Sequence, residues 1–367
     1  MEKKIIKEIA HKIISKEDFN NYGLLTGYIG EMIFLYEYAN MVDNTFVKKV
    51  NLYIDKFYSD IEQGILLSSY SRGISGACLG IAYLNKKNSL SFVAKNIDEY
   101  LASEIHINLN NNDFDFLHGA IGIGFYFIEK FKENESKIAK DALEKILNHL
   151  NDKKIVKGQN KITWLNFNNV SDISISHGVS SIIIFLIKLI EINFPFKENL
   201  VNLLERATSY IISQQIDVKI YNSYYPYTSN EDKIKGSRLA WCYGDLGVCM
   251  ALLKSSEFFL NWQLQKSTLN ILRYNTSRKD LKKNFVEDSA ICHGTSGIGL
   301  IYSILYKKYK IKEFGDCEKF WVKKTIDLYN GESNNDLSLL EGLSGTGLFL
   351  LNSYFNTETK WSKFFLI

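Results

Sequence analysis

The chain has 367 residues, 46% of them hydrophobic, which is enough for a sizeable core. Its 44 basic and 41 acidic residues give a formal net charge of +3, so no general electrostatic attraction to nucleic acid is expected. Five cysteines, an odd number, argue against a disulfide scaffold, and a content of only two prolines favours helices.

The first predicted element is an amphipathic helix at the N-terminus. In MEKKIIKEIAHKIISKEDF, Ile5, Ile9 and Ile13 fall on one helical stripe, and charged residues interrupt every apolar run. A signal peptide needs an uninterrupted apolar segment, and even the most apolar stretch, SSIIIFLIKLIEI, is broken by Lys188 and Glu191. The sequence therefore predicts a cytoplasmic protein without a transmembrane segment.

One phrase recurs seven times along the chain: a glycine, usually a second glycine or small residue three positions later, and then an apolar helical run. Successive leading glycines are separated by 46, 46, 59, 66, 50 and 48 residues, a spacing that fits one helical hairpin per repeat. The leading glycines are Gly27, Gly73, Gly119, Gly178, Gly244, Gly294 and Gly342.

More polar stretches separate these phrases, such as ESKIAKDALEKILNHL, in which Leu143, Leu147 and Leu150 share one face. Buried helices that alternate with amphipathic ones can form an open solenoid or a closed double ring. An open solenoid usually carries polar capping repeats, whereas the first and last repeats here look like the middle ones. The expected fold is all-α, an α/α toroid with seven inner and seven outer helices in a single domain, residues 1–367.

The spacing widens around the third to fifth repeats. The inserted segments include KKIVKGQNKITWLNFNNV and QIDVKIYNSYYPYTSN, which are rich in β-branched and aromatic residues and in turn formers. They predict short β-like inserts on one end of the ring.

The residues directly before the seven glycines are polar or amphipathic, although they introduce the most apolar segments of the chain. Three of the six histidines occupy these seven positions. Helix capping would account for the threonine in the set, but Arg, His and Tyr are not favoured caps. In a closed ring these side chains converge on one cavity, which predicts a functional centre there. The set is Thr26, Arg72, His118, His177, Tyr243, His293 and Glu341.

One position earlier, two consecutive repeats carry a cysteine. Cys242 and Cys292 hold equivalent positions, so a ring makes them neighbours, with His293 beside them. Two thiolates and an imidazole are a ligand set that suits zinc and leaves a fourth coordination position open. The remaining cysteines fall outside this position and are predicted to be packed or surface thiols.

The motifs WCYGDLG and CHGTSGIG, within a sevenfold glycine-led helical repeat, resemble the lanthionine synthetase C-like family over essentially the whole chain. The resemblance implies an α/α toroid whose central Zn²⁺ is held by Cys242, Cys292 and His293. It also implies a cyclase that adds peptide cysteine thiols to dehydroalanine or dehydrobutyrine, forming thioether rings. Because a dehydratase domain would not fit in this length, the chain resembles the stand-alone class I cyclases. Expected partners are a dehydrated precursor peptide, a dehydratase and an exporter, with peripheral association of the protein with a membrane complex.

The same resemblance implies four further active-site residues. His177 in SISHGV matches the family histidine that acts in proton transfer, although Ser180 and Ser181 follow it where a proline and a glycine are usual. The other three matches are Arg238, Tyr243 and, in DFLHG, Asp115.

Simpler structural roles stand beside these assignments. Asp115 would equally serve as a helix cap, Arg238 as a surface ion pair and Tyr243 as a packing residue. His118 adds a titratable group near the predicted centre, with no assigned role.

Three alternative functions remain open. A protein that adds glutathione or another thiol to dehydrated residues would carry the same motifs. A non-catalytic, zinc-containing peptide-binding protein would instead complete its metal site with a fourth protein ligand. An α/α-toroid glycosidase or terpene-type cyclase would need paired carboxylates or aspartate-rich motifs, and neither stands out near the predicted centre.

Overall fold

Each of the seven glycine-led phrases begins a helix. The structure is a computed structural model that describes residues 1–16, 21–64, 67–85, 89–166, 168–231, 233–329 and 334–367. In every phrase the leading glycine is the residue that precedes the first helical turn, and no side chain caps that turn. The interpretation of Thr26 as a helix cap is therefore wrong, since Gly27 holds that position.

The helices and strands follow one another in the predicted order. The first helices are α1 (Glu2–Ile14), α2 (Tyr28–Met41), α3 (Val47–Glu62), α4 (Ile74–Leu84), α5 (Lys95–Asn110), α6 (Ala120–Asn134) and α7 (Lys137–Lys153). Next come strands β1 (Ile155–Val156) and β2 (Ile162–Thr163), then α8 (Val179–Glu191), α9 (Lys197–Ser213) and α10 (Val218–Tyr221). The last helices are α11 (Asp245–Phe258), α12 (Trp262–Asn275), α13 (Thr295–Tyr309), α14 (Lys312–Leu328) and α15 (Leu343–Phe355), with short 3₁₀ segments at Asn44–Phe46 and Lys360–Phe365.

Two helix types alternate. The glycine-led helices (α2, α4, α6, α8, α11, α13 and α15) are buried nearly all round; in α8 only Lys188 and Glu191 are not buried. The amphipathic helices (α1, α3, α5, α7, α9, α12 and α14) bury one stripe, as Leu143, Leu147 and Leu150 of α7 show. The seven pairs expected from the sequence are all present.

Contacts within the chain define two compact units, and residues 1–89, 286–365 and 367 form the first. Within it α13 packs against α15, α15 against α2, and α2 against α4. The glycine-led helix of the last repeat thus contacts that of the first, which agrees with the closure inferred from the repeats.

Residues 90–285 and 366 form the second unit. Here α6 packs against α8 and α8 against α11, while the amphipathic helices α7, α9 and α12 each pack against the glycine-led helix that precedes them. The single domain over residues 1–367 stays a prediction.

The inserts contain little regular structure, as predicted. In the first, β1 and β2 pair antiparallel, with Ile155 opposite Thr163 and Val156 opposite Ile162. The second insert contains α10 and a bridge between Pro226 and Gly236.

Among the described residues, no helix combines the length and apolar character needed to cross a membrane.

Candidate active site

A tight loop precedes the glycine-led helix α8 and places the residue in front of its glycine. Asp172 Oδ1 accepts a hydrogen bond from the Ser174 N–H at 2.7 Å, and the Asp172 carbonyl accepts one from the Val179 N–H at 2.8 Å. A Cβ at Gly178 would lie 2.1 Å from the Asp172 carbonyl oxygen, so only glycine fits this close approach. The loop therefore holds His177 at a defined point at the start of the helix.

The same turn recurs in other repeats, and sequence reasoning missed it. In five repeats an aspartate or asparagine lies six residues before the leading glycine. Its side-chain oxygen accepts the backbone N–H two residues later, at distances from 2.7 to 3.1 Å. The aspartate or asparagine that recurs at this spacing was a signal available in the sequence. The five residues are Asn21, Asp113, Asp172, Asp288 and Asp336.

Backbone hydrogen bonds join the positions two residues before the glycines of neighbouring repeats. The Cys292 N–H donates to the Leu340 carbonyl at 2.9 Å. The Leu340 N–H in turn donates to the Leu25 carbonyl at 2.8 Å, and the Leu25 N–H donates to the Ser71 carbonyl at 2.9 Å. Equivalent positions of these consecutive repeats are thus direct neighbours, which was the premise behind pairing the two cysteines.

Cys242, Cys292 and His293 are the two thiols and the imidazole of the predicted metal site. Cys242 belongs to the second unit, whereas Cys292 and His293 belong to the first. Both cysteines are buried and neither forms a disulfide. Thiolate sulfur and imidazole nitrogen are donors that zinc binds, and three such protein donors leave a fourth position for another ligand. The donor set therefore fits a zinc ion.

The remaining cysteines, Cys78, Cys249 and Cys317, are buried in α4, α11 and α14. They are packed thiols, one of the two roles expected for them.

His177 and Asp115 form a direct pair, in which His177 Nδ1 hydrogen-bonds Asp115 Oδ2. Burial by itself lowers the pKa of His177. The hydrogen bond to Asp115 and the negative charges of Asp115 and Asp172 outweigh that effect, so the pKa is raised above its ordinary value. A histidine biased towards its protonated form can donate a proton near neutral pH.

The backbones of both partners are also held in place. The Asp115 N–H donates to Asp113 Oδ1 at 3.1 Å, and Asp115 Oδ1 accepts the His118 N–H at 2.8 Å. The His177 N–H donates to Ser174 Oγ at 3.1 Å. Asp115 therefore uses one oxygen for its own loop and the other for the imidazole.

Three further aromatic rings lie near the pair. The Tyr243 ring centroid lies 5.6 Å from that of His177, and the Tyr227 ring stacks on Tyr243 at 4.2 Å. The His118 ring centroid lies 6.2 Å from that of His177. Burial raises the pKa of Tyr243, so its hydroxyl stays protonated and can donate a hydrogen bond. Tyr227 comes from the second insert, and nothing in the sequence pattern singled it out.

A cavity of about 440 Å³ lies beside these residues. Asp115, His118, His177 and Tyr243 line it together, so the structure brings three predicted catalytic residues and the additional histidine to one space. Trp164, Leu165, Asn166 and Asn168 of the first insert add to the lining, which the sequence did not predict.

Arg238 is half-buried, and among the described residues no other predicted site residue hydrogen-bonds its guanidinium. The loop that carries it is held instead by the buried Arg278. This guanidinium donates to the Ser237 carbonyl at 3.0 Å, to Asp245 Oδ2 at 3.2 Å and to Asn284 Oδ1 at 2.8 Å. Arg278 thus supports the segment that leads into the WCYG motif.

Comparison with known proteins agrees with these observations. Residues 18–366 match the family described as lanthionine synthetase C-like protein. The chain belongs to this family.

Solved structures that are similar to this lanthionine synthetase C-like chain include the following two. Nisin cyclase is 21% identical, with a TM-score of 0.77 over 100% of this chain and 96% of that one. This likeness confirms the predicted fold class, an all-α protein with the α/α-toroid fold. The other is a possible member of the GH105 family from Salmonella enterica, 11% identical, with a TM-score of 0.45 over 97% of this chain and 93% of that one.

Proposed function

We propose that this protein is a zinc-dependent lanthipeptide cyclase. It would add cysteine thiols of a dehydrated precursor peptide to dehydroalanine or dehydrobutyrine residues of the same peptide. Family membership and the fold shared with nisin cyclase support a cyclase of this kind. The observation that carries the proposal is the cavity lined by His177, Asp115 and Tyr243, of which Tyr243 belongs to the WCYG motif. We propose that Cys242, Cys292 and His293 hold the zinc ion, since two thiolates and an imidazole suit zinc and leave one position open.

The reaction needs a thiolate at neutral pH. A free cysteine thiol has a pKa of about 8.5, so only a small fraction is ionised. Bound zinc supplies the missing acidity, because a thiol coordinated to it loses its proton.

We assign the proton transfer that accompanies carbon–sulfur bond formation to residues around the cavity. The sulfur attacks the β-carbon, the electrons of the carbon–carbon double bond move onto the adjacent carbonyl, and an enolate forms. His177 would donate a proton to the α-carbon, and Asp115 would hold the imidazole for that transfer. The proton lost by the thiol and the proton gained by carbon balance, so ring closure leaves the mass of the peptide unchanged.

The developing enolate oxygen needs hydrogen-bond donors or positive charge. The Tyr243 hydroxyl, protonated and next to His177, would be one donor. Arg238, five residues before Tyr243, would supply positive charge. We assign both to enolate stabilisation, with the cavity beside Tyr243 receiving the peptide.

The proposal places the protein after a dehydratase, which must first convert serine and threonine into the reactive residues. An exporter would follow. We therefore propose a cytoplasmic cyclase with these two proteins as partners and with peripheral association at the membrane.

The test uses purified, zinc-loaded protein and a synthetic peptide that contains one dehydroalanine and one cysteine. After incubation, free thiols are alkylated and the mass of the peptide is measured by mass spectrometry. We expect a peptide of unchanged mass that no longer takes up the alkylating reagent. His177→Ala should slow this loss of free thiols at least a hundredfold, the lower end of typical general-acid contributions. The control His106→Ala, at an exposed histidine of α5, should not.

A parallel incubation with glutathione separates the alternatives. A peptide that gains the mass of glutathione and keeps its free cysteine would show a glutathione-adding enzyme instead. A peptide that stays fully alkylatable under all conditions would refute the enzymatic proposal.

A further inference from the structure

A carboxylate of the recurring turn lies next to a proposed zinc ligand. Asp288 lies six residues before Gly294, and its Oδ1 accepts the Ala290 N–H at 2.9 Å. Its second oxygen, Oδ2, lies 3.3 Å from Nε2 of His293. Asp288 therefore contributes one oxygen to the fold and offers the other to the imidazole.

In other repeats the equivalent side chain holds the turn without a histidine before the glycine. Asp336 makes the same turn with the Ser338 N–H at 2.7 Å, but the residue before its glycine is Glu341. Asn21 makes the turn with an amide oxygen, which accepts the Gly23 N–H at 2.9 Å. An asparagine thus supports the loop, and the turn itself does not require the second carboxylate oxygen.

We propose that Asp288 is a positioning residue for the metal ligand His293. It accepts the Nε2–H of the imidazole, which fixes the tautomer and leaves Nδ1 as the atom that binds zinc. A carboxylate in this role also makes the ligand nitrogen more basic. This role rests on the zinc site of the proposed function, in which Asp288 is not a ligand but supports the ligand His293.

The experiment compares Asp288→Asn with Asp336→Asn. Both substitutions keep an oxygen that can hold the turn, as Asn21 does, but only Asp288→Asn removes a carboxylate from His293. The dissociation constant for zinc is measured by competition with a chromophoric chelator. Loss of a supporting carboxylate typically weakens metal binding by about 10–100-fold. We expect a change in that range for Asp288→Asn and less than twofold for Asp336→Asn.

A measurement on the unmodified chain covers the case of a variant that misfolds. Long-range ¹H–¹⁵N NMR spectra of the zinc-loaded protein show which nitrogen of His293 carries hydrogen, and we expect Nε2. Hydrogen on Nδ1, or equal zinc affinity in the two variants, would overturn the assignment to Asp288 while the cyclase proposal stands. An unmodified chain that binds no zinc would overturn the proposed function, and this inference with it.

Discussion

Replacing Arg278 with methionine should destabilise the protein far more than removing a surface charge. The side chains of Arg278 and Asp245 are 2% and 0% exposed, and they form an ion pair at 3.2 Å. Arg278 also holds the Ser237 carbonyl and the Asn284 side chain. Methionine keeps much of the aliphatic volume but leaves the Asp245 carboxylate without its buried counter-ion.

Breaking a buried pair by removing one partner costs about 3–5 kcal/mol. At about 2.1 cal/mol/K per residue, the unfolding entropy of 367 residues is roughly 770 cal/mol/K. The midpoint temperature should therefore fall by about 4–6 °C if the whole chain unfolds together. If residues 90–285 unfold on their own, the same cost gives a fall of about 7–12 °C.

Thermal unfolding followed by calorimetry measures the shift. The matched control is Lys188→Met, which removes one partner of the exposed Lys188–Glu191 pair. An exposed pair contributes about 0–1 kcal/mol, so this control should shift the midpoint by about 1 °C or less if the whole chain unfolds together. If residues 90–285 unfold on their own, the shift should be about 2 °C or less. If Arg278→Met shifts the midpoint no further than the control, the buried network does not support this loop energetically.

Three more predictions concern the site. Asp115→Asn should lower the pKa of His177, since the hydrogen bond and the negative charge of Asp115, which oppose the effect of burial, are both lost; an NMR titration of the imidazole checks this. Because the pKa of His177 is raised in the folded state, the stability that the His177–Asp115 pair contributes is fully present below about pH 6.5 and is lost as pH rises through the folded pKa. Urea unfolding across that pH range should show this loss. A difference in the free energy of unfolding between wild type and Asp115→Asn that does not change with pH would contradict the prediction. Cys292→Ala should abolish stoichiometric zinc in elemental analysis, whereas replacing the buried cysteine of α4 should not. Tyr227→Ala should cost about 0.5–1.5 kcal/mol in urea unfolding through loss of the stack on Tyr243, and an unchanged free energy of unfolding would argue against that contact.

Much of the fold could be predicted because each repeat is recognisable from a short stretch of sequence. The leading glycines mark the helix starts, since a Cβ there would clash with the residue six positions earlier in the loop. At Gly294 that residue is Asp288. The match between Cys242 and Cys292 was visible for the same reason, because equivalent positions of a repeat are brought to equivalent places. His177 and Asp115 were named through family motifs, and their direct hydrogen bond is seen only in the structure.

The remaining features depend on contacts between distant or irregular segments. Tyr227 and Trp164 come from the inserts, which share no period with the repeats, so no pattern predicted their positions at the cavity. Arg278 reaches Asp245 across 33 residues of sequence and looked like any other basic residue of the chain. The second oxygen of Asp288 shows the limit most clearly, since the sequence reveals the recurring acid but not which histidine it contacts.

We propose that Cys242, Cys292 and His293 hold one zinc ion with a free position for a substrate thiol. X-ray absorption at the zinc edge, measured before and after addition of a cysteine-containing peptide, tests it most directly. We predict two sulfur ligands and one imidazole nitrogen in the free protein, and a third sulfur once the peptide is present. A fourth protein ligand in the free protein, or a sulfur count that stays at two with saturating peptide, would contradict the account.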